Sequence, residues 1–221
     1  MTYYYRRPEP AAVVDAMLAL GKQGALRNPE VAAPFAGFLA GVLSKNRATA
    51  AANVHRLAVL PAEDQPVLIL GLWYSGHPDT KALLAGLAKE MPAQRAMIED
   101  LARSTPAKLV EVPLDKDPWV LAALWGNFMA TGDEAPVLRI IDALPFTMIA
   151  QGDKQRLAMG RTAEWSLISN AAQHPRVMEI VRRNAAARTG AIANMLNRVA
   201  ARAEEVIRQE KAAAKAPGRK P

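Results

Sequence analysis

Histidine is the residue type in this chain best suited to proton transfer or metal binding near neutral pH. There are three, His55, His77 and His174. None has a second histidine three or four residues away, so no single helical face is expected to hold a metal ion through two histidines. His77 and His174 each precede a proline, which predicts bonds to the backbone of a turn. A site formed by residues that are distant in sequence and come together in the fold remains an alternative.

The other common catalytic patterns are also missing. No GxSxG elbow, phosphate-binding glycine loop or GxGxxG motif occurs, and the absence of cysteine excludes disulfides, thiol catalysis and cysteine-ligated metal. Ser166 is a candidate nucleophile, but a serine within a helix usually bonds to a backbone carbonyl. Four carboxylates are close in sequence and fit helix caps or solvated loop positions: Asp115, Asp117, Asp133 and Glu134. The sequence predicts no enzyme, catalytic residue, cofactor or metal.

Three tryptophans occupy comparable places in three predicted helical hairpins: Trp73, Trp125 and Trp165. One interpretation is that they are large core residues between helices. The alternative is that one or more of them line an exposed groove that binds a peptide or helix, because aromatic residues dominate such contacts. We therefore name all three as candidate partner-binding residues.

The positive charge of the chain is concentrated near its C-terminus. Residues 1–175 contain 17 basic and 17 acidic residues, whereas the remainder contains 11 and 4 and accounts for the whole net charge of +7. The last predicted helix, residues 189–211, combines an apolar stripe with Arg198, Arg202 and Arg208. We expect it to dock on the body of the protein. The alternatives are pairing with a second copy or contact with nucleic acid or an anionic membrane.

The elements that must position these residues are predicted to be helices. Alanine is abundant, runs of β-branched residues are scarce, and 51% of the chain is hydrophobic. Residues 118–144 form the clearest pattern, two helical stripes joined by a turn at Gly132. Asp117 and Asp133 are the predicted caps of these helices. The apolar positions of the hairpin are Leu121, Leu124, Trp125 and Phe128, followed by Val137, Ile140, Ile141 and Leu144.

Similar hairpins are predicted around turns near Asn46, His77 and His174. Asn28 and Asp64 are predicted helix-start residues. Gly37 and Gly41, four residues apart in one helix, allow a neighbouring helix to approach closely. The spacing of the turns is irregular, so the predicted fold is all-α, with tandem hairpins in either an α-solenoid-like array or a folded-back bundle.

We predict three parts of the chain: a flexible N-terminal segment (residues 1–9), a single helical domain (10–211) and a disordered basic tail (212–221). Residues 104–116 are predicted to be a long surface connection and possible binding edge, and residues 145–152 a linker. No apolar run is long enough to span a bilayer, and the N-terminus has no signal-type core. We therefore expect a soluble, cytoplasmic protein. The alternative is an exported protein from which the signal peptide has been removed.

Two segments carry a resemblance. LWGNFMATGD followed by VLRII, and the later EWSLISNAAQHPRV, resemble recurring signatures of a group of α-helical bacterial proteins with no known activity. The resemblance implies a bacterial source and a helical fold over roughly the last two thirds of the chain. It implies no chemistry, because its residues are packing and turn residues.

The function predicted from the sequence is that of a non-enzymatic helical repeat protein that binds another protein or peptide. The alternative is an accessory protein that contacts nucleic acid or an anionic membrane through its basic C-terminal helix. A homo-oligomer is compatible with either function.

Overall fold

The computed structural model describes residues 3–114, 119–149 and 153–215, and it confirms an all-α fold. These ranges contain eleven α-helices and several short 3-10 segments, with no β-strand. The helices are α1 (Pro10–Lys22), α2 (Pro29–Lys45), α3 (Arg47–Leu57), α4 (Gln65–Trp73), α5 (Thr80–Glu90), α6 (Arg95–Ala102), α7 (Trp119–Thr131), α8 (Ala135–Ile141), α9 (Lys154–Gln173), α10 (Pro175–Ala187) and α11 (Gly190–Lys215).

The internal contacts of the chain divide it into two compact units, Met1–Pro136 and Val137–Pro221. The division falls inside α8, within the predicted central hairpin. The single domain over residues 10–211 stays a prediction.

The first unit is built around α2, which packs against α7 and α4. Close contact between α2 and α7 depends on glycine. A Cβ atom added to Gly37 would lie within 3.0 Å of the Ala123 carbonyl, and one added to Gly126 would lie within 3.0 Å of the Pro34 carbonyl. The Asn127 amide also donates to the Gly37 carbonyl across 3.2 Å. The backbones of the two helices therefore meet directly, as the glycine spacing in α2 predicts.

Local signals set several of the helix ends. The Asn28 side chain accepts a hydrogen bond from the backbone N–H of Glu30 at 2.9 Å, which caps α2. Gly132 follows α7 with a φ of +66°, the left-handed conformation that glycine adopts without strain. Both positions agree with the predictions from the sequence.

One of the predicted aspartate caps makes no capping bond, and another also forms an ion pair. Asp64 precedes α4, but its side chain makes no capping bond. The carboxylate is fully buried, and Arg27 Nε lies 3.8 Å from it. The Asp133 carboxylate pairs with Lys45 Nζ at 2.9 Å. The predicted cap at Asp117 lies outside the described residues.

Two tyrosines of the predicted N-terminal segment pack on helices of the first unit. Tyr4–Arg6 form a 3-10 turn. The Tyr4 ring meets Phe38 of α2 at 5.0 Å between centroids, and the Tyr5 ring meets Phe128 of α7 at 5.7 Å. Two aromatic contacts therefore fix this segment to the α2–α7 pair.

The second unit contains α9, α10 and α11, which pack against one another. The predicted linker at residues 145–152 is partly a 3-10 helix, Leu144–Met148, that packs on α9. Gly160 of α9 permits this contact, because a Cβ there would lie within 3.0 Å of the Thr147 N–H. Residues 150–152 lie outside the described ranges.

Helix α11 runs to Lys215, four residues beyond the predicted end at Lys211. Residues 216–221 of the predicted tail lie outside the described residues. Within the described part of the chain, no helix is both long and apolar enough to cross a membrane.

Candidate partner-binding surface

The three candidate tryptophans lie in different environments. Trp73 of α4 and Trp125 of α7 are core residues of the first unit, with exposed fractions of 4% and 8%. Trp165 of α9 is 70% exposed. The core interpretation therefore holds for two of the three, and Trp165 is the candidate that presents its indole ring to solvent.

The local sequence explains why Trp165 points outward. The buried residues Met159, Ala163 and Leu167 lie on one face of α9. With 100° per residue, Trp165 falls on the opposite face. Unlike an ordinary amphipathic helix, α9 carries apolar residues on both faces, so its pattern does not reveal which face is covered.

We name the outward face of α9 the Trp165 face. It consists of Leu157, Arg161, Trp165, Ile168 and Ala172, which fall within about a quarter of the helical circumference. Leu157, Ile168 and Ala172 are partly exposed, and Arg161 is exposed. The face spans 16 residues, or about 22 Å at 1.5 Å per residue. Glu164 lies at its edge.

The Trp165 face continues into a groove within the second unit. Ala172 lines this groove, which has a volume of about 570 Å³ and also includes Pro175 and Met178 of α10 and Ile207 of α11. An ion pair of 2.7 Å between Arg182 and Glu204 joins the two helices beside it. An exposed indole ring thus lies on the same helix face as an apolar groove.

The candidate arginines of α11 differ in whether they already form an ion pair within the protein. Arg208 donates to Glu205, and this hydrogen bond, followed by that from Gln209, lowers the pKa of the Glu205 carboxyl. Arg198 and Arg202 are exposed and have no ion-pair partner among the described residues. They lie four residues apart and are therefore neighbours on the helix surface.

Charge is unequally divided between the units. Residues 1–136 contain 13 basic and 14 acidic residues, whereas residues 137–221 contain 15 and 7, a net charge of +8. Five of those seven acidic residues already form ion pairs within the second unit: Asp142, Asp153, Glu179, Glu204 and Glu205. The second unit therefore presents excess positive charge to solvent.

His77 and Ser166 bond to nearby backbone groups. His77 Nδ1 accepts a bond from the Asp79 N–H at 3.1 Å, which leaves its proton on Nε2, 3.4 Å from the Arg47 carbonyl. Ser166 Oγ is 3.1 Å from the Ala163 carbonyl, to which it donates as predicted. His174 is buried at the junction of α9 and α10, and His55 pairs with Glu90 at 2.7 Å. No three potential metal ligands come together in the described ranges.

The predicted connection at residues 104–116 contains a 3-10 turn, Leu109–Glu111. Lys108 and Leu109 form part of a cleft of about 210 Å³ in the first unit, together with Arg47, Tyr74 and Asn127. Burial raises the pKa of the Tyr74 phenol. Trp119, which no sequence pattern indicated as a contact residue, contacts Tyr74 with tilted rings whose centroids are 5.4 Å apart. The 3-10 turn of the connection therefore lines a cleft of the first unit.

Comparison with known proteins gives no relative from which to transfer a function. No protein family matches this chain, and no curated protein or solved structure does so either.

Proposed function

We propose that this chain is a non-enzymatic helical repeat protein that binds another protein through the Trp165 face. The observation that carries the proposal is the 70% exposure of Trp165, in contrast to the buried Trp73 and Trp125. Leaving a large indole surface in water sacrifices hydrophobic stabilisation that burial provides. Tryptophan is also among the residues that contribute most to binding when a partner buries them.

The shape of the surface favours an amphipathic helix as the partner segment. The apolar residues of the Trp165 face recur along about four turns of α9, which matches the length over which two helices pack. A partner helix would place its apolar side on Trp165 and Ile168 and extend toward the groove at Ala172. The net charge of +8 on the second unit and the exposed Arg161 favour a partner with acidic residues on its polar side.

The arrangement of the helices supports the folded-back alternative for the first unit. In an α-solenoid each repeat contacts its immediate neighbours. Here α2 packs mainly on α7 and α4 and less on its sequence neighbour α3. We therefore propose irregular hairpins folded onto one another, with the binding surface carried by the second unit.

The test is a photo-crosslinking experiment on the full chain in its source cells. A benzophenone amino acid at position 165 is expected to capture one defined protein, whereas the same residue at Ala82, an exposed position in the first unit, is expected to capture none. The captured protein is then purified and its affinity measured by calorimetry. Trp165→Ala should weaken binding by about 30-fold or more, as expected for an aromatic hot spot.

Two results would contradict this proposal. One is the same crosslinked products from positions 165 and 82. The other is an unchanged affinity of the purified partner for the Trp165→Ala variant.

A second candidate function is contact with nucleic acid or an anionic membrane through α11. It is favoured by Arg198 and Arg202, the neighbouring arginines without ion-pair partners in the described part of the chain. Removing α11 is a poor test, because Leu196, Val199 and Ala203 are buried. Such a truncation would therefore unfold the second unit.

The sharper test reverses two exposed charges. We expect Arg198→Glu/Arg202→Glu to abolish binding to a single-stranded RNA or to phosphatidylserine vesicles, measured by fluorescence anisotropy and co-sedimentation. For RNA, the Arg198→Ala/Arg202→Ala variant should reduce the salt slope by about 2. Arg95→Glu/Arg103→Glu makes the same change of net charge at the first residue of α6 and at the residue that follows this helix, and it should retain binding. If the two glutamate variants lose binding to the same extent, the effect is one of net charge alone, and this function is rejected for α11.

A further inference from the structure

A cleft of about 400 Å³ lies at the N-terminal end of the first unit. Its walls come from three stretches of sequence: the 3-10 segment with Tyr3 and Tyr4, the outer side of α1 with Ala12 and Ala16, and the start of α2 with Phe35 and Phe38. Its volume falls within the range of small-molecule sites. The cleft lies on a different unit from the Trp165 face, so a ligand site there is independent of the proposed function.

The cleft is lined mainly by aromatic rings and small side chains. The edge of the Tyr4 ring meets Phe38 at 5.0 Å, and the Phe35 ring lies 6.5 Å from Phe38. Ala12 and Ala16 on the facing wall occupy little space, which keeps the cleft open. A flat apolar group fits such a lining, because aromatic rings favour edge-on and offset contacts with one another.

Two opposite charges lie at the same cleft. Arg7 and Glu9 both line it, both are exposed, and neither forms an ion pair within the described ranges. The neighbouring Arg6, in contrast, lies over the Tyr3 ring at 4.6 Å. Burial is the main cause of a raised pKa at the Tyr4 phenol, and the nearby negative charge of Glu9 adds to it. The Glu9 carboxylate is therefore close to the aromatic lining.

We propose that this cleft binds a free aromatic α-amino acid. The ring of the ligand lies against the contacting rings of Tyr4 and Phe38, with Ala12 and Ala16 of α1 on its other side. Its carboxylate pairs with the Arg7 guanidinium, which matches a carboxylate with two parallel N–H donors. Its ammonium group pairs with the Glu9 carboxylate. A ligand with only one of the two charges would leave the other protein charge unmatched.

The test uses the full-length protein and three probes of similar size: L-phenylalanine, 3-phenylpropionate without the ammonium group, and phenethylamine without the carboxylate. Titration calorimetry and ligand-observed NMR should show L-phenylalanine binding about tenfold more tightly than either analogue, since a hydrogen bond to a charged group contributes about that much. Binding should saturate at millimolar ligand or below.

Three variants locate the site. Arg7→Gln should weaken the binding of L-phenylalanine about tenfold and leave the binding of phenethylamine unchanged. Glu9→Gln should also weaken the binding of L-phenylalanine about tenfold, but it should leave the binding of 3-phenylpropionate unchanged. Ala16→Leu fills the cleft from an exposed position of α1 and should abolish binding without loss of helical circular dichroism. Lys22→Gln, at the end of the same helix, is the control and should bind as the unaltered chain does.

The proposal is overturned by a lack of saturable L-phenylalanine binding at millimolar concentration. It is equally overturned by equal affinities for the three probes, or by unchanged binding in the Ala16→Leu variant.

Discussion

Replacing Gly126 by alanine is expected to destabilise the first unit by about 3 kcal/mol or more. The new Cβ would overlap the backbone carbonyl of Pro34, and a carbonyl cannot rotate away as a side chain can. The α2–α7 pair would have to separate, which would weaken the contacts of the core residues between the two helices. Urea denaturation followed by circular dichroism measures the effect.

Gly86→Ala is the matched control for this prediction. Gly86 lies inside α5, and a Cβ added there meets no atom within 4 Å. Alanine is the better helix former, so this variant should be more stable than the unaltered chain by about 0.5–1 kcal/mol. If the two alanine variants have the same stability, α2 and α7 do not pack through Gly126 in solution.

Substituting each tryptophan by alanine should distinguish the buried tryptophans from the exposed one by the loss of stability. Trp73→Ala and Trp125→Ala each remove a large buried side chain and are expected to lower the free energy of unfolding by about 3–5 kcal/mol. Trp165→Ala removes a side chain that is already in water, so its expected change is within about 0.5 kcal/mol. Differential scanning calorimetry of the three variants provides the comparison.

Fluorescence gives an independent check of the same contrast. Acrylamide should quench the emission of Trp165 strongly and that of Trp73 weakly. The emission of each tryptophan is obtained as the difference between the unaltered chain and the variant in which phenylalanine replaces that tryptophan. A loss of stability in Trp165→Ala as large as that in Trp73→Ala would show that Trp165 is a core residue, and the Trp165 face would not exist as a free surface.

Local rules predicted the features that depend on neighbouring residues. The cap at Asn28 and the left-handed Gly132 follow from side-chain and backbone preferences that act within a few residues. At Asp64 the same rules placed the helix start correctly, but its carboxylate makes no capping bond and is instead buried near Arg27, 37 positions away in the chain. They also did not predict the 3-10 helix Leu144–Met148, which packs on α9 at the start of the predicted linker.

The periodicity of the sequence could not show which helices distant in the chain pack against each other. The glycines of α2 indicated a close helix neighbour, but not that it would be α7 with its own Gly126. Trp165 shows the same limit for the binding surface. Its spacing places it in a helix, yet apolar residues occur on both faces of α9, and only the packing of α10 and α11 determines which face stays open.

The pairing of α2 with α7 also constrains the order in which the chain can fold during translation. Gly37 and Asn127, which meet across this contact, are 90 residues apart. At elongation rates of about 5–20 residues per second, α2 leaves the ribosome roughly 5 to 20 seconds before α7 does. Throughout that interval the glycine-containing face of α2 lacks its main partner, so the nascent first unit is a substrate suited to chaperones that hold exposed apolar helices.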